Sequence, residues 1–175
     1  MPRPIQAIIH TDALRHNLAR ARAAAPDARV WAVVKANAYG HGAVRCAQAL
    51  AHDADGFAVA FLGEALELRA AGITAPILLL EGVFGADELG AVDRYDLWMV
   101  IHHEEQLRML ERTPLTAPVK VWLKINTGMN RAGFLPEAVA DAWQRLQASG
   151  KVGEITLMTH FARADEPDVE TTRTQ

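Results

Sequence analysis

The sequence predicts an α/β fold built on a parallel sheet. Short apolar segments rich in β-branched residues alternate with segments in which apolar residues recur at helical spacing, and about six such strand–helix pairs can be traced. This alternation is typical of either a (β/α)8 barrel or a doubly wound sheet. Half of the 175 residues are hydrophobic and 22% are charged, which is an ordinary composition for one globular domain.

The predicted elements of the first half follow one another with short connections. Thr11 is expected to cap a helix that carries Leu14, Leu18 and Ala21 on one face. Gly72 is expected to end the third helix, because glycine readily adopts the left-handed conformation found after helix ends. The further predicted elements are a strand at 30–34, a helix at 43–50, a strand at 56–60, a helix at 62–71 and a strand at 77–80.

The second half continues the same pattern. Pro136 is expected at the first turn of a helix whose apolar stripe is Val139, Trp143 and Leu146. The other predicted elements are a weak helix at 86–92, a strand at 97–101, a helix at 104–110 and strands at 119–125 and 155–158.

About six βα units do not complete a barrel. A (β/α)8 barrel needs eight strands and typically about 250 residues. We therefore expect residues 1–175 to be the amino-terminal part of a barrel domain in a longer protein, and a naturally shortened gene is the alternative.

Composition argues against several classes of function. The formal net charge of −3 gives no reason to expect nucleic acid or an anionic membrane as a partner. No run of about 18 apolar residues and no signal peptide is recognisable. Cys46 is the single cysteine, cannot form an internal disulfide and has apolar neighbours that favour a packing role on a helix. We expect a cytoplasmic protein.

The run VVKANAYGHG, residues 33–42, carries the strongest functional signal. Lys35 ends an apolar strand and is therefore expected at the carboxyl edge of the sheet, where α/β proteins hold their ligands. Burial there lowers the pKa of a lysine amine and lets it attack a carbonyl. Tyr39 offers a hydroxyl, and Gly40 and Gly42 would let the backbone approach a phosphate. This pattern indicates a carbonyl-binding lysine beside an anion site.

A second run, WLKINTGMNRAGF, covers residues 122–134 and again leads from a strand into a glycine-containing loop. Arg131 on that loop could grip a carboxylate with two parallel hydrogen bonds. Without further context it would be a solvated loop arginine. Lys124 and Arg131 are two cations close in sequence, so a carbamate or carboxylate nearby is physically sensible.

The third run is LMTHFARAD, residues 157–165, in which His160 follows a strand. A histidine in such a place is usually a structural residue. Arg163 and Asp165 are expected to form a loop ion pair. His41 is expected to pack against or cap the helix that follows it.

These three runs, in this order, resemble the signature segments of the alanine racemase family. The resemblance implies that Lys35 holds pyridoxal 5′-phosphate, Tyr39 binds its phosphate and His160 lies near its ring. It also implies that Arg131 acts on the substrate carboxylate and on a catalytic tyrosine. Lys124 matches a lysine that is carbamylated in some members. No metal is implied.

The resemblance covers about the first half of a full racemase and departs from it at Asn126, where many members carry aspartate. It implies an isomerase that interconverts L- and D-alanine by a two-base mechanism, as a cytoplasmic homodimer, with D-alanine supplied for peptidoglycan. Lys35 is one base. The other is a tyrosine from the carboxyl-terminal β-domain of a partner subunit, so we expect residues 1–175 alone to be inactive.

Three alternatives remain open at the level of sequence. The protein could racemise another amino acid, since the pocket walls lie outside these residues. It could be a non-catalytic barrel that only binds pyridoxal phosphate, although such a protein would need no arginine loop. It could also be an inactive fragment.

Overall fold

A computed structural model of the chain describes residues 5–166 and 168–175. The strands are β1 (Trp31–Val33), β2 (Gly56–Val59), β3 (Ile77–Leu79), β4 (Leu97–Ile101), β5 (Val119–Lys124) and β6 (Val152–Met158). The helical segments are α1 (Thr11–Ala24), the single turn α2 (Lys35–Tyr39), α3 (Ala43–Leu50), α4 (Leu62–Ala70), α5 (Leu89–Arg94), α6 (Glu104–Arg112), α7 (Pro136–Ala148) and α8 (Thr171–Thr174). A 3₁₀ turn (Ala86–Glu88) precedes α5.

The predicted α/β class is confirmed. The described strands form one six-stranded sheet in chain order, with β1 and β6 at its edges, so the sheet is open. The pairs β1–β2, β4–β5 and β5–β6 are parallel. This is the arrangement of an incomplete (β/α)8 barrel. Among the described residues, no helix combines the length and apolar character needed to cross a bilayer.

The chain divides into two compact units. The first comprises Met1–Val59, as far as it is described, and Gly63–Ile77. All four residues of β2 are buried, and Cys46, Ala47 and Leu50 of α3 are buried as well. Cys46 is only 2% exposed, which fits the predicted packing role, and burial raises the pKa of its thiol.

The second unit comprises Ala60–Leu62 and Leu78–Gln175. Every residue of β4 is buried, which agrees with the continuous apolar sequence expected of a parallel strand covered on both faces. Helices α6 and α7 contribute Leu107 and Leu146, both fully buried, to the same core. In contrast, the edge strand β6 has no buried residue.

Of two predicted helix ends, the structure contradicts one and confirms the other. Thr11 was expected to cap α1, but the cap is His10, whose extended backbone presents its carbonyl to the amides of Ala13 and Leu14 at 3.2 and 3.4 Å. The expected end of α4 is confirmed. Gly72 has a φ of +85°, and the amide of Ile73 donates to the carbonyl of Leu68 at 3.1 Å.

A charged cluster joins α6 to α7. The guanidinium of Arg145 donates two bonds to Glu111, at 2.8 and 2.9 Å, and two to Glu104, at 2.9 and 3.1 Å. These bonds hold the pKa of Glu111 below its ordinary value. Nearby, the ammonium of Lys151 donates to the carbonyls of Leu110, Glu111 and Thr113 at the end of α6.

Replacing Arg145 by methionine should lower the free energy of unfolding by about 1 kcal/mol at pH 7, because two carboxylates lose a shared partner. Glu111 has a lowered pKa in the folded state. Its contribution is therefore present above the ordinary glutamate pKa of about 4.3 and is lost as the pH falls through the lower folded value. Urea unfolding at pH 7 and at about pH 3 should show the difference between wild type and Arg145→Met shrinking in acid. A difference that stays constant with pH would contradict this account.

Candidate active site

Lys35 lies directly beyond the carboxyl end of β1. The intervening residue Val34 is buried, and its amide donates to the carbonyl of Ala58 in β2 at 2.8 Å, so the strand pairing continues to the residue before the lysine. Lys35 itself is half-buried. The predicted location at a strand end is therefore confirmed.

The turn after Lys35 is left-handed. Ala36, Asn37, Ala38 and Tyr39 all have φ between 51 and 54°. This conformation costs an L-residue roughly 1–2 kcal/mol, and none of the four is glycine. The sequence predicted a turn at this place but not its hand. Strain concentrated beside one side chain is a pointer to function.

Three polar side chains, one of them from the turn itself, hold this turn. Glu64 at the start of α4 accepts a hydrogen bond from the amide of Ala36 at 2.6 Å. Asn37 accepts the amide of Ala43, the first residue of α3, at 2.8 Å. A ring nitrogen of His41 lies 2.8 Å from the carbonyl of Ala38. Sequence reasoning missed Glu64, because nothing in the sequence near either residue marks a contact across 28 positions.

Tyr39 completes the turn and leaves its side chain in solvent. It is 63% exposed, and within the described part of the chain its hydroxyl makes no hydrogen bond. Gly40 and Gly42 follow with φ of +88 and +94°, a region that strains any residue with a Cβ. A Cβ on Gly40 would meet nothing within 4 Å, so conformation rather than space requires glycine there.

The second candidate region begins where β5 ends. Lys124, the last residue of β5, is only 7% exposed. The loop that follows is closed at its base by two backbone bonds. The amide of Phe134 donates to the carbonyl of Lys124 at 2.9 Å, and the amide of Asn126 donates to the carbonyl of Phe134 at 2.8 Å. We call residues 126–133 the arginine loop.

Arg131 lies on the arginine loop and is exposed. Among the residues that the structure describes, none accepts a hydrogen bond from its guanidinium or forms an ion pair with it. By contrast, Arg22 and Arg145 bind carboxylates of the chain itself. A guanidinium presented in this way can bind an external anion.

His160 lies two residues beyond β6 and is exposed. Its segment is joined to the arginine loop, because the hydroxyls of Thr127 and Thr159 are hydrogen-bonded to each other and Gln175 donates to both the Thr127 hydroxyl and the His160 carbonyl. Nearby, Arg163 forms its ion pair with Glu166. The expected pair with Asp165 was therefore wrong, since the carboxylate one residue further along meets the guanidinium.

The structure thus groups the predicted residues into two sets. Lys35 and Tyr39 share one strained turn in the first unit. Lys124, Arg131 and His160 lie in the second unit, at the carboxyl ends of the paired strands β5 and β6.

Comparison with known proteins identifies the family. The family model "Alanine racemase, N-terminal domain" matches residues 9–175. The chain belongs to this alanine racemase family.

Individual relatives agree with this assignment. An alanine racemase of Azoarcus sp. strain BH72 is 67% identical over 175 residues, which cover 99% of this chain and 49% of that protein. A catabolic alanine racemase of Pseudomonas putida is 58% identical over 173 residues, covering 99% of this chain and 48% of that protein. The crystal structure of a biosynthetic alanine racemase from Pseudomonas aeruginosa superposes with a TM-score of 0.90 at 46% identity, covering 94% of this chain and 46% of that one.

The chain spans about half the length of the alanine racemases it matches. Members of the family depend on pyridoxal 5′-phosphate. The donor groups of the first unit fit this cofactor. They comprise the amine of the half-buried Lys35, suited to covalent attachment, and the phenol hydroxyl of Tyr39, which no described residue engages and which suits a phosphate oxygen.

The arginine loop tolerates no side chain at Gly133. This residue has a φ of +126°, and a Cβ would lie 2.6 Å from the backbone nitrogen of Asn126. Gly133→Ala should therefore destabilise the protein by about 2 kcal/mol or more and lower its melting temperature, measured by calorimetry.

Gly90 provides the matched control for that substitution. It lies in α5, and a Cβ there would meet nothing within 4 Å. Gly90→Ala should raise the free energy of unfolding by roughly 0.5–1 kcal/mol, because alanine is the better helix former. Equal effects of the two substitutions would show that the loop is not constrained as described.

Proposed function

We propose that this chain is the amino-terminal half of a pyridoxal phosphate-dependent alanine racemase that interconverts L- and D-alanine. The observation that carries the proposal is Lys35, held at the end of β1 by a four-residue left-handed turn in a member of this family. A strained turn of this kind persists only where surrounding contacts enforce it, and here those contacts fix the residue next to the lysine.

Lys35 has two tasks in this proposal. Its amine would hold the cofactor covalently, and in its free state the amine could remove or return the α-proton on one face of the substrate. Bound pyridoxal phosphate supplies the electron sink that makes this proton acidic enough to leave. Family resemblance assigns Lys35 to the face of the D-enantiomer.

Arg131 binds the substrate carboxylate. Its planar guanidinium offers two parallel donors, and no acceptor among the described residues competes for them. The resemblance also pairs it with a catalytic tyrosine. Lys124 lies buried at the base of the same loop. In the proposal, carbamylation of Lys124 would turn a second cation into an anion that helps orient Arg131.

Tyr39 and His160 hold the cofactor. The exposed hydroxyl of Tyr39 can donate to a phosphate oxygen, and the imidazole of His160 lies near the cofactor ring by resemblance. Inversion needs a base on each face of the substrate. The second base, a tyrosine, is proposed to come from a carboxyl-terminal β-domain of a partner subunit, which makes the active enzyme a homodimer.

The proposal also includes the cellular compartment of the enzyme and the direction in which it works. A lone cysteine, buried in α3, suits a reducing cytoplasm. We propose that the enzyme supplies D-alanine as a precursor of peptidoglycan. One similar protein is named catabolic and another biosynthetic. Growth of a strain that requires D-alanine, when it carries the complete enzyme, tests the proposed biosynthetic direction.

Lys35→Ala should abolish the absorbance band near ~420 nm that covalently bound pyridoxal phosphate gives, because no amine remains to bind it. Racemase activity of the complete protein should fall on the order of 10³-fold or more, since a base is lost with the attachment point. Both are measured on purified protein saturated with the cofactor.

A lysine away from the strand end supplies the control. Lys120 lies over the ring of Trp98 at 4.5 Å, and Lys120→Ala should keep the absorbance band and the activity. A borohydride-stable cofactor adduct that persists in Lys35→Ala would disprove the assignment.

Arg131→Lys should lower kcat/KM for alanine by about 2–4 kcal/mol, roughly 30- to 1,000-fold, because the charge remains but the paired donors are lost. The melting temperature should change little, since the guanidinium is exposed and without a partner among the described residues. Arg112→Lys, at the exposed end of α6, is the matched control and should leave the kinetics unchanged. Normal kinetics combined with a large loss of stability would show that Arg131 has a structural role instead.

A further inference from the structure

We propose that Asn126 is a positioning residue that places Arg131 for the substrate carboxylate by fixing the path of the arginine loop. This inference rests on the proposed role of Arg131. It adds a residue whose side-chain hydrogen bonds, among the described residues, all go to the arginine loop itself.

The side-chain amide of Asn126 binds the loop at three points. Its oxygen accepts the amides of Gly128 at 3.2 Å and Asn130 at 3.0 Å. Its nitrogen donates to the side-chain oxygen of Asn130 at 3.0 Å. One side chain therefore connects the beginning of the loop to the residue directly before Arg131.

The loop needs such a connection because its backbone is costly. Gly128 and Gly133 have φ of +138 and +126°, and Asn130 has a φ of +58°. Asparagine tolerates the left-handed region better than most residues with a Cβ, but glycine remains the residue that adopts it freely. The backbone bonds of Phe134 fix only the base of the loop. The bonds of Asn126 extend this restraint to residue 130.

Arg131 has no means of fixing its own position. Within the described residues its guanidinium contacts no acceptor, so the direction in which it leaves the backbone depends on the conformation of Asn130. A change in φ or ψ at Asn130 would displace the long arginine side chain by several ångströms. Asn126 restrains that conformation through both the backbone amide and the side chain of Asn130.

Residue 126 has to offer an oxygen that accepts the two loop amides, and it does not have to be charged. Aspartate at this position could accept the same two amides. The side-chain amide of Asn130 would then have to turn so that its nitrogen donates to the carboxylate. Leucine has a similar shape but offers no acceptor, so it separates the hydrogen bonds from the packing.

The test is a double-mutant cycle in the complete racemase, saturated with pyridoxal phosphate. Asn126→Leu and Asn126→Asp are each made alone and together with Arg131→Ala, and kcat and KM for alanine are measured along with the ~420 nm band and the melting temperature. We expect Asn126→Leu to lower kcat/KM about tenfold with the absorbance band intact, and Asn126→Asp to stay within about threefold of wild type.

The combined variant decides the mechanism. If Asn126 acts through Arg131, then Asn126→Leu should change kcat/KM by less than about twofold once Arg131→Ala is present. A full tenfold loss in that background would overturn the proposal, as would an Asn126→Asp variant as impaired as Asn126→Leu. The single variant Arg131→Ala tests the proposed function on its own. Wild-type kinetics of that variant would disprove the role of Arg131, and with it the role of Asn126.

Two further variants distinguish a positioning effect from a loss of folding stability. Asn130→Gly removes the hydrogen bond between the side-chain amides of residues 126 and 130, but glycine adopts a positive φ freely. We therefore expect this variant to be folded and to lose about threefold in kcat/KM. Asp93 performs a comparable task before β5, accepting the amide and the hydroxyl of Thr116 at 2.6 and 2.8 Å. Asp93→Leu should lower the melting temperature without altering kcat/KM, and a loss of kcat/KM equal to that of Asn126→Leu would overturn a specific role for Asn126.

Discussion

Four consecutive L-residues in the left-handed conformation follow Lys35 at the end of β1. The geometry of this segment depends on the contacts that compensate the conformational free energy of those residues. Each residue costs roughly 1–2 kcal/mol, so the turn would open if it stood alone. It is held by the carboxylate of Glu64 and by Asn37, whose side chain binds the first amide of α3. The backbone that follows Lys35 is therefore held by two helices, α3 and α4, to which the lysine does not belong.

The arginine loop is also held in a fixed conformation, but by other residue types. Here glycine and asparagine occupy the positions of positive φ, and the side chain of Asn126 ties the loop together. The conformational cost is smaller, because two of the three residues have no Cβ. Both regions carry a candidate cation on backbone whose conformation is restrained by hydrogen bonds of polar side chains.

The elements that position these regions could be predicted from sequence, since strands and helices reveal themselves by local periodicity. Lys35, Arg131 and His160 could be located for the same reason, as each follows a recognisable strand. Contacts between distant residues could not. Glu64 is 28 positions from its partner, and Arg163 pairs with Glu166 although Asp165 is nearer in sequence. The hand of the turn at Ala36 could not be foreseen either, because alanine ordinarily avoids it.

The dependence of this turn on Glu64 also bears on the order in which the chain acquires its structure. Glu64 belongs to α4, which follows both α3 and β2 along the chain. Until α4 has packed, the amide of Ala36 lacks that acceptor, and the strained conformation is compensated only by the contacts of Asn37 and His41. Closing a loop of this length costs entropy that only packed neighbours repay. The lysine segment is encoded near the beginning of the chain, but its left-handed turn gains the contact with Glu64 only once α4 is in place.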